Sequence, residues 1–385
     1  MKIKIVADQR IPYVDAAFGP FGKLIKLDSR AIDNAAVKDA DALIVRSETK
    51  VDEKLLTGSK VQFVGTATIG TDHIDLDFLS KSGIKFASAP GCNAYAVMQY
   101  ITAVLLTLAA RRKHTLEGKI LGVVGVGNVG SKIVKVGQTL GMKVLQNDPP
   151  LARSTGEPGF FPLDDLMGAD FITVHVPFTK TGTDPTFHLF DGKRISMMRK
   201  GSTLINTSRG AVVDNKALKE ALKSKLIGDA VLDVWENEPN IDVELLSLCA
   251  LGTQHIAGYS IDGKVNATTM IYREFCKHFE RPQDWDSSHV IPPPKEPEFS
   301  FNNNTLSEES ALLEAVRHCY EIEKDDDALR KISSIPDAER GLFFKKLRGN
   351  YNFRYEFSNM TVDLPVENQQ LAGMLGALGF KISGK

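Results

Sequence analysis

The chain has 385 residues, 47 basic against 48 acidic side chains for a net charge of -1, with 43% hydrophobic and 25% charged residues. At about 100 to 200 residues per domain this length implies two or three domains, and the composition buries large cores, which excludes a small disulfide-stapled module and a globally disordered chain. The cancelling charges leave no bulk field to hold nucleic acid or anionic lipid, so neither is expected as a partner and any anionic ligand must be held by local groups.

In chain order, residues 1–8 alternate and then turn polar, without the apolar core and cleavage site of a signal peptide, and are expected as a first strand. Short β-branched runs at 3–7, 24–27, 42–45, 62–65 and 85–87 alternate with helical or turn material, the pattern of a parallel sheet. Asn93 is the expected N-cap of a helix over 94–112, long enough to bridge two lobes. Its longest apolar run, 101–110, is short of the ~18 residues that suggest a membrane span. Further strands are expected at 120–124, 144–146, 171–174, 203–205 and 230–232, then a helix over 263–279. From Glu280 the texture turns to Pro, Asp, Ser and Asn, and 283–304 reads as a linker. A third domain, 305–385, is expected to open on a capping box of Thr305 and Glu308, followed by Leu312, Leu313, Val316 and Tyr320 at helical spacing. Domains this small often gain stability by associating, so oligomerisation through it is expected.

Cys92, Cys249, Cys276 and Cys319 form no CxxC pair and no regular spacing. No disulfide framework and no metal site is expected, and a reducing cytoplasm fits.

Three constellations carry chemistry. Gly125-Val126-Gly127-Asn128-Val129-Gly130 follows an apolar strand and opens a helix. Glycines there allow a tight turn and close backbone approach, so a pyrophosphate can sit on the free amides and positive dipole of the helix start. Asp148, at the end of the next strand, is placed to accept the ribose hydroxyls and to repel a 2'-phosphate, which favours NAD over NADP. The second is Asn206-Thr207-Ser208-Arg209-Gly210, after another strand. Arg209 matches a substrate carboxylate bidentately, and the alternative, a surface arginine pairing with Asp214, is plausible by itself but loses force beside the third constellation. The third joins Asp233-Val234-Trp235-Glu236-Asn237-Glu238-Pro239 to Gln254-His255-Ile256-Ala257-Gly258-Tyr259. A histidine held by a carboxylate shuttles protons near neutral pH, and Glu238 is the candidate carboxylate. Singly, His255 reads as a structural histidine and Glu236 or Glu238 as a solvated loop acid, and spacing alone does not bring them together.

Taken in order, these motifs resemble the D-isomer-specific 2-hydroxyacid dehydrogenases, over roughly residues 1 to 282. The resemblance implies an α/β chain with a Rossmann-type NAD-binding domain, 94–258, inserted in a flavodoxin-like substrate-binding domain, 1–93 with 259–282, followed by a small α+β C-terminal dimerisation domain. It implies that Arg209 binds and polarises the substrate, His255 exchanges the proton of the C2 hydroxyl and Glu238 supports His255. Gln99 and Gln254 depart from the family pattern, which has a glutamate and a proline there.

A narrower resemblance, to the members of that family acting on a phosphorylated four-carbon hydroxy acid in vitamin B6 synthesis, rests on six segments. They are Val45-Arg46-Ser47-Glu48-Thr49-Lys50-Val51, Gly65-Thr66-Ala67-Thr68-Ile69-Gly70-Thr71-Asp72-His73, Ala89-Pro90-Gly91-Cys92-Asn93-Ala94, Asp148-Pro149-Pro150 and, in the C-terminal domain, Asp325-Asp326-Asp327-Ala328-Leu329-Arg330-Lys331 and Leu347-Arg348-Gly349-Asn350-Tyr351. It implies NAD-dependent oxidation of 4-phosphoerythronate by a homodimer. Ser47, Thr68 and Tyr259 are then expected on substrate, and Thr207, Ser208, Asp233, Gly258 and Val176 along the cofactor beside Gly125, Gly127, Asn128, Val129 and Gly130. Because net charge offers no clamp for the phosphate, Arg46 beside the substrate loop is expected to bind it, with Arg348 from the partner subunit as a second candidate that reads at least as well as a surface salt-bridge residue. The alternatives are a dehydrogenase of another D-2-hydroxy acid such as 3-phosphoglycerate, or an NAD(H)-sensing binding protein.

Overall fold

The structure is a computed structural model that describes residues 2–287, 290–301, 307–365 and 368–384. The chain divides into two compact units, Met1–Asn93 with Ser260–Pro293, and Ala94–Tyr259 with Pro294–Lys385.

The first unit is built on strands β1 (Ile3–Asp8), β2 (Gly22–Leu27), β3 (Ala42–Val45), β4 (Phe63–Thr66) and β5 (Lys85–Ala87). They run parallel in the order β2-β1-β3-β4-β5, a flavodoxin-like sheet. All of β3 and β4 is buried, as expected of strands covered on both faces. The helix Ile261–His278, capped by Ser260, packs Ile271 and Phe275 on this sheet. It comes so close that a Cβ on Gly65 would stand 2.3 Å from Ile271 Cγ2.

In the second unit, β6 (Ile120–Val124), β7 (Lys143–Asn147), β8 (Phe171–Val174), β9 (Thr203–Asn206), β10 (Asp229–Leu232) and β11 (Leu251–Gly252) form a parallel sheet ordered β11-β10-β9-β8-β6-β7. Gln146 bridges Phe160 on the outer side of β7, completing the Rossmann order as a single-residue edge. The strand order reverses between β6 and β8, so their C-terminal ends form the crevice where ligands bind.

Several expectations are corrected. The helix Ala94–Arg112 is apolar over more than its middle: it has the length and hydropathy of a membrane span, but 83% of the window is buried inside the protein, as in a core helix. Asn93, expected to cap it, leaves its buried Oδ1 without a hydrogen-bond partner among the described residues. The stretch 283–304 is not a plain linker. Trp285 packs on Tyr272 and Tyr13 donates to the Val290 carbonyl at 2.7 Å in the first unit, while Glu298–Ser300 is strand β12, paired in parallel with β13 (Thr361–Leu364) in a sheet completed by β14 (Lys381–Gly384). Thr305 lies outside the described residues. The observed cap of the helix Glu308–Cys319 is Ser307, which accepts the Ser310 amide. That helix does not belong to a core of its own, because Leu312, Val316 and Leu375 share one apolar cluster with Ile101, Val104 and Leu108.

Candidate active site

Strand β6 ends in the glycine turn. Gly125 has φ 85, and a Cβ there would stand 2.9 Å from the His175 carbonyl and from Val176 Cγ1. A Cβ on Gly130 would fall 1.9 Å from the Gly125 oxygen, so only glycine lets the helix Gly130–Thr139 start this close. On the other side, the missing Cβ of Gly127 faces open space. No side chain caps that helix, so Asn128, Val129 and Gly130 lead into first-turn amides suited to an anion. Asp148, at the end of β7, accepts Val126 N–H at 2.8 Å and Leu151 N–H at 2.9 Å, one on each oxygen. Each oxygen keeps a further lone pair for a hydroxyl. These residues fit a dinucleotide whose pyrophosphate lies on the turn and whose ribose meets Asp148.

Across the crevice, His175 is half-buried, and burial pushes its imidazole down to about 3, so it is neutral. It contacts Thr173 Oγ1 at 2.9 Å and Thr207 Oγ1 at 3.4 Å, tying the end of β8 to the loop after β9. In that loop Asn206 Oδ1 accepts both the amide and the hydroxyl of Ser208, and Asn206 Nδ2 holds the Arg209 carbonyl at 2.9 Å. Arg209 is half-buried, with Nη1 on the Ser208 carbonyl. Asp214, its alternative partner from sequence, caps the helix Asn215–Lys223 through Ala217 N–H. A Cβ on Gly210 would collide with the Trp235 carbonyl at 2.0 Å, so glycine here brings the Arg209 loop against the loop after β10.

The loops after β10 and β11 join Glu238 to His255. Glu238 Oε1 accepts Trp235 N–H at 2.8 Å, and its Oε2 lies 2.8 Å from His255 Nδ1. Burial pushes the Glu238 carboxyl up, but the His255 hydrogen bond and charge, the Trp235 amide and the Arg348 charge outweigh it and hold the group below its ordinary 4.5. A carboxylate only accepts, so Nδ1 carries the proton, and whenever the ring is neutral Nε2 holds the lone pair. Glu236 is engaged elsewhere, with His188 Nε2 at 2.8 Å and the Asn215 amide at 2.9 Å. Asp233, 1% exposed, accepts from Thr253 Oγ1, Ile256 N and Ala257 N, so the carboxylate expected along the cofactor also organises the histidine loop. Gly258 and Tyr259 close that loop through the bond from Tyr259 N to the Ile256 carbonyl at 2.8 Å.

Arg348 requires a correction. It was expected from a partner subunit, but the helix Asp337–Gly349 of the same chain brings its guanidinium to 5.7 Å over the Tyr259 ring and close enough to Glu238 to lower that carboxyl. Its Nε is buried without a partner among the described residues. Tyr351 and Phe353 pack on the same Tyr259 ring, at 6.0 and 5.7 Å.

In the first unit, Ser47 is exposed, and Arg46 is held by fully buried Asp8 through Nε at 3.1 Å while its buried Nη2 lacks a hydrogen-bond partner among the described residues. Thr68 Oγ1 meets Thr66 Oγ1 at 2.8 Å and the Gly70 carbonyl at 3.0 Å, and Thr66 Oγ1 meets His73 Nε2 at 2.9 Å. Burial holds His73 below its usual range against the opposing Asp72 charge. His175, Arg348 in its own chain and the second task of Asp233 escaped the sequence reading. Only the position of His175 at the end of a buried strand was available to suggest it.

Residues 99–257 match the D-isomer specific 2-hydroxyacid dehydrogenase, NAD binding domain, and residues 290–379 match a domain of unknown function, DUF3410. The chain is 44% identical over 382 residues to erythronate-4-phosphate dehydrogenase of Pseudomonas entomophila, covering 99% of both. It is also 44% identical over 379 residues to the enzyme of that name from Azotobacter vinelandii, covering 98% of this chain and 99% of the relative. Among solved structures, D-lactate dehydrogenase from Aquifex aeolicus complexed with NAD and lactic acid is 27% identical with a TM-score of 0.59, covering 72% of this chain and 96% of that one.

Proposed function

The chain belongs to the erythronate-4-phosphate dehydrogenases, within the D-isomer specific 2-hydroxyacid dehydrogenases, and on that premise we propose that it oxidises 4-phosphoerythronate at C2 to 2-oxo-3-hydroxy-4-phosphobutanoate for pyridoxal 5'-phosphate synthesis. The observation that carries this reading is the 2.8 Å contact between Glu238 and His255 Nδ1, which leaves Nε2 as a base. Gly125, Gly127, Asn128, Val129, Gly130 and Asp148 hold NAD, with Val176, Thr207, Ser208, Asp233 and Gly258 along it. Bound NAD supplies the acceptor for the hydride leaving C2. His255 Nε2 takes the proton of the C2 hydroxyl as the carbonyl forms. Glu238 stabilises the resulting imidazolium, and Arg209 pairs with the substrate carboxylate and stabilises charge developing on the C2 oxygen.

Ser47, Thr68 and Tyr259 contact the substrate. Arg46 and Arg348 are the proposed cations for the phosphate: Arg348 Nε is buried without a hydrogen-bond partner among the described residues, whereas Arg46 is also paired with Asp8 and lies 3.8 Å from Glu48. Two copies associate through the C-terminal domain, and, separately, four free thiols suit a reducing cytoplasm. The test is NAD reduction with 4-phosphoerythronate, erythronate and 3-phosphoglycerate, with a 2-oxo acid acceptor present to clear bound NADH and Arg209→Ala as control. Preference for the first substrate, lost in the variant, is the expected result. Preference for another acid would discard the substrate assignment, and NADH binding without turnover on any acid would favour a sensor.

A further inference from the structure

The peptide units that follow His255 are held from two sides. Asp233 takes the N–H groups of Ile256 and Ala257 at 2.7 and 2.9 Å. Arg354, 7% exposed and from the C-terminal segment of the same unit, takes the carbonyls of the same two residues, through Nη1 at 3.1 Å and Nη2 at 2.5 Å. Its remaining bonds reach the Ala96 carbonyl at 3.0 Å, Gln99 Oε1 at 3.2 Å and the Tyr351 hydroxyl at 3.3 Å, with the Tyr320 ring 4.2 Å away. Gln99 in turn donates to the Tyr355 carbonyl at 3.0 Å. A neutral amide that both accepts and donates therefore stands where the wider family pattern has a glutamate.

Two features make this arrangement more than packing. A buried guanidinium is expensive to desolvate, and an apolar residue would fill the same volume more cheaply unless the fork's directed bonds are needed. His255 has φ 61, a left-handed backbone that a non-glycine residue keeps only when its surroundings fix it. On its N-terminal side Gln254 offers little, since it is 1% exposed with Oε1 unpartnered among the described residues. Thr253 anchors the chain two residues earlier, its carbonyl taking Trp235 Nε1 at 2.9 Å and its hydroxyl reaching Asp233 at 2.6 Å, and the peptide units next to His255 on the C-terminal side are fixed by Asp233 and Arg354.

We propose that Arg354 is a positioning residue for the dehydrogenase: through the carbonyls of Ile256 and Ala257 it fixes the backbone at His255, and thereby the hydrogen bond from the ring to Glu238. This gives the C-terminal segment a part in turnover within its own chain. The kinetic readout rests on the function proposed above, whereas the spectroscopic one does not.

The experiment uses full-length Arg354→Met and Arg354→Lys, with thermal unfolding, NADH affinity, kcat and KM, and the imidazole 1H-15N resonances, the His255 signal being identified by its loss in His255→Asn. The expected result for Arg354→Met is a folded protein with wild-type NADH affinity, a kcat lowered about 10- to 100-fold by a displaced catalytic group, and loss of the downfield Nδ1 proton of His255. Arg354→Lys should fall between it and wild type. Should Arg354→Met not fold, Arg354→Lys decides by the same readouts. An unchanged Nδ1 resonance and kcat in a folded variant would overturn the proposal. Absence of turnover in the wild type, with the Nδ1 proton still lost in the variant, would overturn the proposed function and leave the positioning role standing.

Discussion

Glu238 Oε2 and His255 Nδ1 lie 2.8 Å apart although 17 residues separate them in the chain. The two loops meet because β10 and β11 are adjacent parallel strands whose C-terminal ends emerge side by side, Val231 opposite Leu251 and Leu232 opposite Gly252. The topology thus turns two loop residues into one acid-base unit.

Because the Glu238 carboxyl is held below its ordinary 4.5 in the folded chain, its ionisation favours folding. That stability is fully present above the unfolded value and is lost as pH falls through the lower folded value. Urea unfolding of wild type and Glu238→Gln should therefore show wild type ahead at pH 7 and the gap narrowing below about pH 4.5. A gap that widened on acidification would contradict the pairing.

The Gly210 contact predicts an effect out of proportion to one methyl group. A Cβ would stand 2.0 Å from the Trp235 carbonyl, and backbone cannot rotate away as a side chain can. Gly210→Ala should lose about 1 to 3 kcal/mol of stability in denaturant titration and weaken substrate binding, because the Arg209 loop must retreat. Wild-type stability and KM would show that the two loops separate freely.

Arg348 sits beside Tyr259 and Glu238 of its own chain. Loss of a charge-assisted bond worth about 1.5 to 3 kcal/mol predicts that Arg348→Ala raises KM for 4-phosphoerythronate about 10- to 100-fold while leaving erythronate little changed. Mixed dimers of Arg348→Ala with His255→Ala chains should turn over only with the raised KM of Arg348→Ala. Recovery of the wild-type KM on mixing would place Arg348 in the partner's site.

Asp148 both caps the helix Pro149–Thr155 and stands where the adenosine ribose is proposed to bind. Asp148→Asn keeps much of the cap but loses the charge that repels a 2'-phosphate. Fluorescence titration should show weaker NADH binding and a smaller preference over NADPH. An unchanged preference would move the ribose elsewhere.

Much of this site was legible in the sequence because its parts are local. The turn from Gly125 to Gly130, the acid at Asp148 and the loop glycine at Gly210 each follow a strand within a few residues, and strand positions such as 42–45 and 85–87 coincide with β3 and β5. What was illegible depends on distant partners. Nothing near Arg354 indicates that its guanidinium meets carbonyls 97 and 98 residues earlier. Glu298–Ser300 looked like linker because three residues become a strand only beside β13, far along the chain. The linkage of Arg348 to its own chain's Glu238 is likewise set by how the helix Asp337–Gly349 packs, which periodicity does not specify.

The most direct measurement is single-turnover NADH formation from 4-phosphoerythronate by wild type and His255→Asn, with protonated and C2-deuterated substrate, alongside NADH affinity. The account predicts a rate about 10² to 10⁴ lower in the variant, undiminished NADH binding and a deuterium effect on the step. A variant that forms NADH at the wild-type rate would show that His255 is not the base.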